Sequence, residues 1–177
     1  DLRAHAPSLI GGLNDDHLEH GTASLGLAVA RDNTLGCIGV APAVDSVRCA
    51  GQWRMDNGVK FYSSAQAIFD ALEVMEPGDV LLVCAQMDFE ISPGNWRKVP
   101  VERYPPTFDM IRLAAALGLT VVEAAGNGGG TIASCDLDEL RDDHGDDFLR
   151  RASPAFRDSG AIMVIGAFMA MFLVGLL

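Results

Sequence analysis

Apolar residues recur along the chain in two rhythms. Mainly apolar runs at 46–50, 79–85, 120–125 and 161–166 read as strands of a sheet covered on both faces. Between them, 63–75 and 106–117 carry apolar residues at helical spacing: Ala67, Ile68, Ala71, Leu72 and Met75, then Met110, Ile111, Leu113, Ala114 and Leu117. Pro77 and Gly78 follow the first helix and Gly118 the second, as stop signals should. A third helix is predicted over 21–30, where small and apolar residues follow the polar run Asn14, Asp15, Asp16, His17; it is expected to be central and buried. This alternation predicts an α/β fold with a parallel sheet of at least four strands and helices on both faces.

Two stretches interrupt the rhythm. The segment 87–106 contains Pro93, Gly94, Pro100, Pro105 and Pro106, and 135–147 is acidic; both read as surface excursions. There is no internal repeat and no low-complexity tract. At 177 residues and 49% hydrophobic, the chain is long and apolar enough to bury a core. A net charge of −11 excludes nucleic acid and anionic membrane surfaces as partners, because phosphates would repel it. The uncharged run 161–177 is short for a membrane span and reads as a core strand followed by a segment that should be buried, with a membrane or interfacial segment as the alternative. Cys37, Cys49, Cys84 and Cys135 form no CxxC pair, so no zinc cluster is indicated. Cys37 and Cys84 lie in apolar runs and read as buried thiols.

The candidate chemistry begins with HGTASLGLAVARDNTLGCIGVAP at 20–42. His20, Gly21 and Thr22 open the segment, Asn33 lies in its loop, and Gly39, Val40, Ala41 and Pro42 close it. This pattern resembles the histidine segment of the subtilisin-like serine peptidases. The resemblance implies that His20 is the general base of a catalytic triad, with Gly21 leaving room for substrate and nucleophile. Ala23 departs from the second histidine of the best-known members. A second segment, LTVVEAAGNGG at 119–129, is an apolar strand ending in small residues. It resembles the family segment whose asparagine donates to the oxyanion, which implies that role for Asn127. His20 and Asn127, 107 positions apart, are then expected to converge on one cleft. The strand at 78–86 lies where the family pairs with its substrate backbone, although the usual Ser and Gly are missing. The resemblance covers roughly 14–167, with 87–106 as an insertion and 168–177 as an atypical apolar tail.

The chain is thus expected to be one partial subtilisin-like domain, incomplete at both ends. The family orders its triad Asp, His, Ser, yet no strand-borne aspartate precedes His20 and no Gly-Thr-Ser follows Asn127. Asp158, Ser159 and Gly160 spell the family's aspartate motif at the wrong place in the order and read as coincidence. The implied function is peptide-bond hydrolysis by a serine-type endopeptidase, with this chain inactive alone and a polypeptide as substrate. Secretion is implied only by the resemblance. No cofactor is expected: the loop 31–37 has the length of a calcium loop in many subtilases, but the N-terminal ligands are missing, so Asn33 reads as a turn residue. Two other classes compete. One is a metal hydrolase built on Asp15, Asp16, His17 and His20, with His17 and His20 on one helix face and Asp143 and His144 completing the site. The other is a pseudopeptidase or peptide-binding module that keeps the substrate strand edge without the chemistry. Uncovered apolar surface, and with it association of the chain, is expected in either case where the sheet is incomplete.

Overall fold

In the computed structural model, residues 2–127, 137 and 148–164 are described. The chain divides into two compact units, Asp1–Val74 and Met75–Leu177.

The first unit begins with a 3-10 turn, Arg3–His5, whose His5 is buried. Strand β1, Ser8–Gly11, then pairs in parallel with β2, Arg48–Ala50. Between them runs α1, Leu18–Val29. The end of this helix explains the pattern that closes the histidine segment: the amides of Gly39, Val40 and Ala41 donate to the carbonyls of Ala30, Leu27 and Ala28 at 2.8, 2.9 and 2.8 Å. The loop thereby satisfies carbonyls that a helix C-terminus leaves without partners. Position 39 must be glycine, because a Cβ there would lie 2.4 Å from the Ala30 nitrogen.

A hairpin follows, β3 (Trp53–Asp56) with β4 (Val59–Tyr62), turning on Asn57 and Gly58 at φ 47° and 80°. Two successive positive φ values make a tight two-residue hairpin turn, and Asn-Gly is the pair that adopts them most readily. Ser63 then starts α2, Ser64–Leu72, its hydroxyl accepting from the Gln66 amide at 3.1 Å. This helix buries Ala67, Ile68 and Ala71 and packs against β1 and β2. Arg54 of β3 and Asp70 of α2 form an ion pair at 2.6 Å.

The second unit is built on three parallel strands in the order β5 (Val80–Val83), β8 (Thr120–Ala124), β9 (Ile162–Val164). Between β5 and β8 the chain makes a second hairpin, β6 (Gln86–Ser92) with β7 (Asn95–Pro100). A buried 3-10 turn, Val101–Arg103, leads from it into α3, Pro105–Ala116. Helix α3 buries Phe108, Ile111 and Ala114 and packs on β8. The rings of Phe108 and Phe148 meet edge to face at 5.5 Å. Arg103 stacks over Phe89 and Phe148, and Arg157 over Phe108 and Phe148.

Every strand and helix expected from the apolar rhythm is present, shifted by a few residues at its ends, and the α/β character with parallel strands is established. The expected sheet of at least four strands is divided among the described residues, because β2 pairs with β1 whereas β5, β8 and β9 form a sheet of three. Three further expectations need correction. Helix α1 has no buried residue, and Leu18 and Leu27 are about half exposed. A helix closes its own i→i−4 bonds, so small apolar residues can form one without any neighbour covering them. The segment 87–106 is not an irregular excursion. Each proline occupies a place where its missing N–H costs nothing: Pro93 in the hairpin turn beside Gly94 (φ 75°), Pro100 at the end of β7, Pro105 and Pro106 in the first turn of α3. Val99, Pro100 and Val101 are core residues. Cys37, expected inside, is exposed; Leu35 and Ile38 beside it are exposed too, since this loop sends its backbone, not its side chains, toward the end of α1.

Among the described residues, one face of the three-stranded sheet is buried and the other is largely exposed. The register places Val80, Leu82, Val122, Ile162 and Val164 on one side, and of these only Val122 is less than 40% exposed. The opposite side carries Val83, Val121 and Glu123, all buried. The acidic segment and the apolar tail fall largely outside the described residues.

Candidate functional site

His20 stands in the first turn of α1, exposed. The helix starts without a side-chain cap: His17 occupies the capping position in a left-handed conformation, φ 53°, and its carbonyl accepts from the Gly21 amide at 3.2 Å. A Cβ on Gly21, the next residue, would meet nothing within 4 Å. Asp15 and Asp16 are engaged elsewhere, with Lys60 at 3.2 and 4.0 Å.

Asn127 is set by the second unit. Strand β8 ends at Ala124, and the Ala125 amide extends the ladder to the Val164 carbonyl of β9 at 3.0 Å. Gly126 then turns at φ 84°, pressed so closely against β7 that a Cβ would lie 2.5 Å from the Lys98 carbonyl oxygen. The Asn127 amide donates to Gln86 Oε1 at 2.9 Å, and the residue is exposed. An asparagine is therefore presented to solvent at the carboxyl end of a parallel strand, the end at which open α/β sheets form their sites. The backbone that carries it is pinned by the hairpin on two sides.

His20 and Asn127 belong to different units, and each is positioned by contacts within its own. His17 and His20 do not share a helix face, because the left-handed His17 precedes the helix; its Nε2 is 3.8 Å from Asp16 Oδ1. Asp143 and His144 lie outside the described residues, among which no group of three or more His, Cys, Asp or Glu side chains is placed to hold a metal. Asn33 Oδ1 accepts from the Leu35 amide at 2.7 Å, so its side-chain oxygen closes a turn. Among the described residues no disulfide joins Cys37, Cys49 and Cys84, and partial burial raises the Cys49 thiol above its ordinary value.

Four residues of the second unit carry polar structure that the apolar rhythm does not reveal. Gln86 holds the Asn127 amide. Glu123, in the middle of the covered sheet face, is fully buried, and its Oε1 accepts from the Glu102 amide at 3.0 Å. Glu102, also buried, accepts from the Ser159 hydroxyl at 2.5 Å. The signal available for Glu123 was a lone carboxylate inside an apolar strand, a position that demands a partner. Ser159 and Asp158 make a turn ahead of β9: Asp158 Oδ1 accepts from the Gly160 amide at 2.8 Å while Ser159 faces inward.

No protein-family model, no curated protein and no solved structure matches the chain.

Proposed function

We propose that this chain is part of a subtilisin-like serine endopeptidase, with helices completing both faces of its sheet, and that it contributes the general base His20 and the oxyanion donor Asn127. The observation that carries the reading is the presentation of Asn127, exposed beyond the carboxyl end of β8 with its own amide and the preceding glycine fixed by the hairpin. A donor to a developing oxyanion has to be preorganised in this way, since its value lies in costing no rearrangement when charge appears. The loop folded back on α1 adds support, because it makes the 20–42 pattern a single structural piece with His20 on its rigid end.

In the proposed reaction a serine hydroxyl attacks the substrate carbonyl while His20 removes its proton. The carbonyl electrons move onto oxygen, where the Asn127 side-chain amide donates a hydrogen bond. His20 then returns the proton to the departing amine, leaving an acyl-enzyme that water hydrolyses by the same steps. The sequence holds no Gly-Thr-Ser after Asn127, and β1, ahead of His20, carries no aspartate. The chain by itself therefore forms no acyl-enzyme. The test is hydrolysis of a fluorogenic peptide by the chain alone and by the chain joined to an aspartate-bearing strand and a Gly-Thr-Ser segment. Turnover only in the joined form is expected. Turnover by the chain alone that survives His20→Ala, or none in a folded joined form, would refute the reading.

A second reading, a peptide-binding module, is favoured by β5, an edge strand of its sheet with Val80 and Leu82 exposed. Addition of a peptide strand to such an edge needs neither the serine nor the aspartate. Saturable peptide binding that is unchanged by His20→Ala and Asn127→Ala would favour it.

A further inference from the structure

Glu102 and Glu123 come from different elements, the turn after β7 and the middle of β8, and both are almost entirely withdrawn from water. Glu123 Oε1 accepts from the Glu102 amide, whereas its Oε2 is buried with no hydrogen-bond partner. Glu102 Oε2 accepts from Ser159 Oγ, and that hydroxyl in turn accepts from the Ala161 amide at 3.3 Å at the entrance to β9. One cluster thus joins β8, the turn leading into α3 and the segment feeding β9.

Burial is the strongest influence on the ionisation of this pair. The neighbouring arginines are turned onto rings, Arg103 over Phe89 and Phe148, Arg157 over Phe108 and Phe148 with Asp109 3.8 Å away. Helix α3 turns Thr107, Phe108, Ile111 and Ala114 inward, none of them ionisable. Asp158, a charge of the same sign, also opposes ionisation of Glu102. Two carboxylates cannot both be charged in such a place, because neither burial nor the partner favours the charged form.

We propose that Glu102 and Glu123 form a one-proton lock: at neutral pH the pair keeps a single proton that ties β8 to the turn after β7 and to the entrance of β9, and its loss at alkaline pH loosens that junction. The proton resides on Glu123, where Oε2 has no donor against it and Glu102 can accept. Burial, reinforced by the negative charge of Glu102, pushes the Glu123 carboxyl up to about 8. Burial also raises Glu102, with the Ser159 hydroxyl acting in the opposite direction. In the unfolded chain both carboxyls ionise near their ordinary values. Folding therefore takes up a proton, and the stability this provides is full below the ordinary glutamate range and declines as pH rises toward about 8. Asn127 lies four positions beyond Glu123, so on the peptidase reading the lock also steadies the oxyanion donor.

The direct experiment is a pH titration of the glutamate side-chain carboxyl carbons of the full native chain by NMR, with denaturant midpoints measured across the same range. One glutamate is expected to stay protonated at pH 7 and to titrate far above the others. The folding equilibrium constant is expected to fall with pH between about 5 and 8, by at most tenfold per unit, the slope of one proton. Glu123→Gln, which imitates the protonated carboxyl, is expected to fold and to flatten that decline, while Asp158→Asn leaves most of it. Ordinary titration of every glutamate in the native chain would overturn the proposal, whether or not Glu123→Gln folds. A decline of full slope in folded Glu123→Gln would overturn it equally. Neither measurement involves peptide hydrolysis, so the lock and the peptidase reading can fail separately.

Discussion

Glycines in this chain divide into those the backbone needs and those it does not, and the difference is measurable. Gly126 combines a positive φ with backbone contact on β7, so Gly126→Ala forces both a left-handed alanine and a displaced carbonyl. The first costs about 1–2 kcal/mol and the crowding about 1–3 kcal/mol more. A loss of several degrees in thermal midpoint is expected. Gly21 lies within α1 with open space around its Cα, so Gly21→Ala is expected to be neutral or to stabilise by up to about 1 kcal/mol, alanine being the better helix former. Chemical denaturation of the two variants side by side checks the contrast, and equal losses would contradict it. Ser63→Ala tests a different device, the hydroxyl that caps α2, and should cost about 1 kcal/mol.

At the scale of elements, apolar rhythm and the physical punctuation of the chain explain why some parts were readable. The runs at 79–85 and 120–125 were legible as β5 and β8 because their apolar residues form short, bounded runs of strand length, broken in β8 only by Thr120 and Glu123. Helix α3 was legible from its spacing, and Phe108→Ala, which empties a fully buried site in it, should cost about 3–5 kcal/mol. Both hairpins were missed. Asn57-Gly58 and Pro93-Gly94 are turn signals, but the strands flanking the first are too short to show a period and the prolines around the second mask its alternation. Strand β1 was missed because four residues, Ser8–Gly11, are too few to show a period. For the candidate site, His20 and Asn127 were legible as motif residues, whereas Gln86, Glu102 and Ser159 were not. Their roles depend on partners 41, 21 and 57 positions away, brought near by the hairpin and the sheet.

For the whole molecule, charge and apolar surface pull in opposite directions. A net charge of −11 keeps copies apart at low salt, while the exposed apolar residues of one sheet face, Val80, Leu82, Ile162 and Val164, favour association. Light scattering is expected to show association that grows with salt as the charge is screened, and Leu82→Lys should reduce it. A monomer at every salt concentration would mean that the face is covered in solution. The peptidase account itself rests on what His20 and Asn127 do to a reacting carbonyl. The measurement that tests it most directly is kcat and KM for Asn127→Ala in the chain joined to the aspartate and serine segments. Removal of one oxyanion donor should lower kcat by about 10²–10³-fold with KM nearly unchanged, since the bond is made only as the oxyanion forms. An unchanged kcat, or a loss confined to KM, would contradict the account.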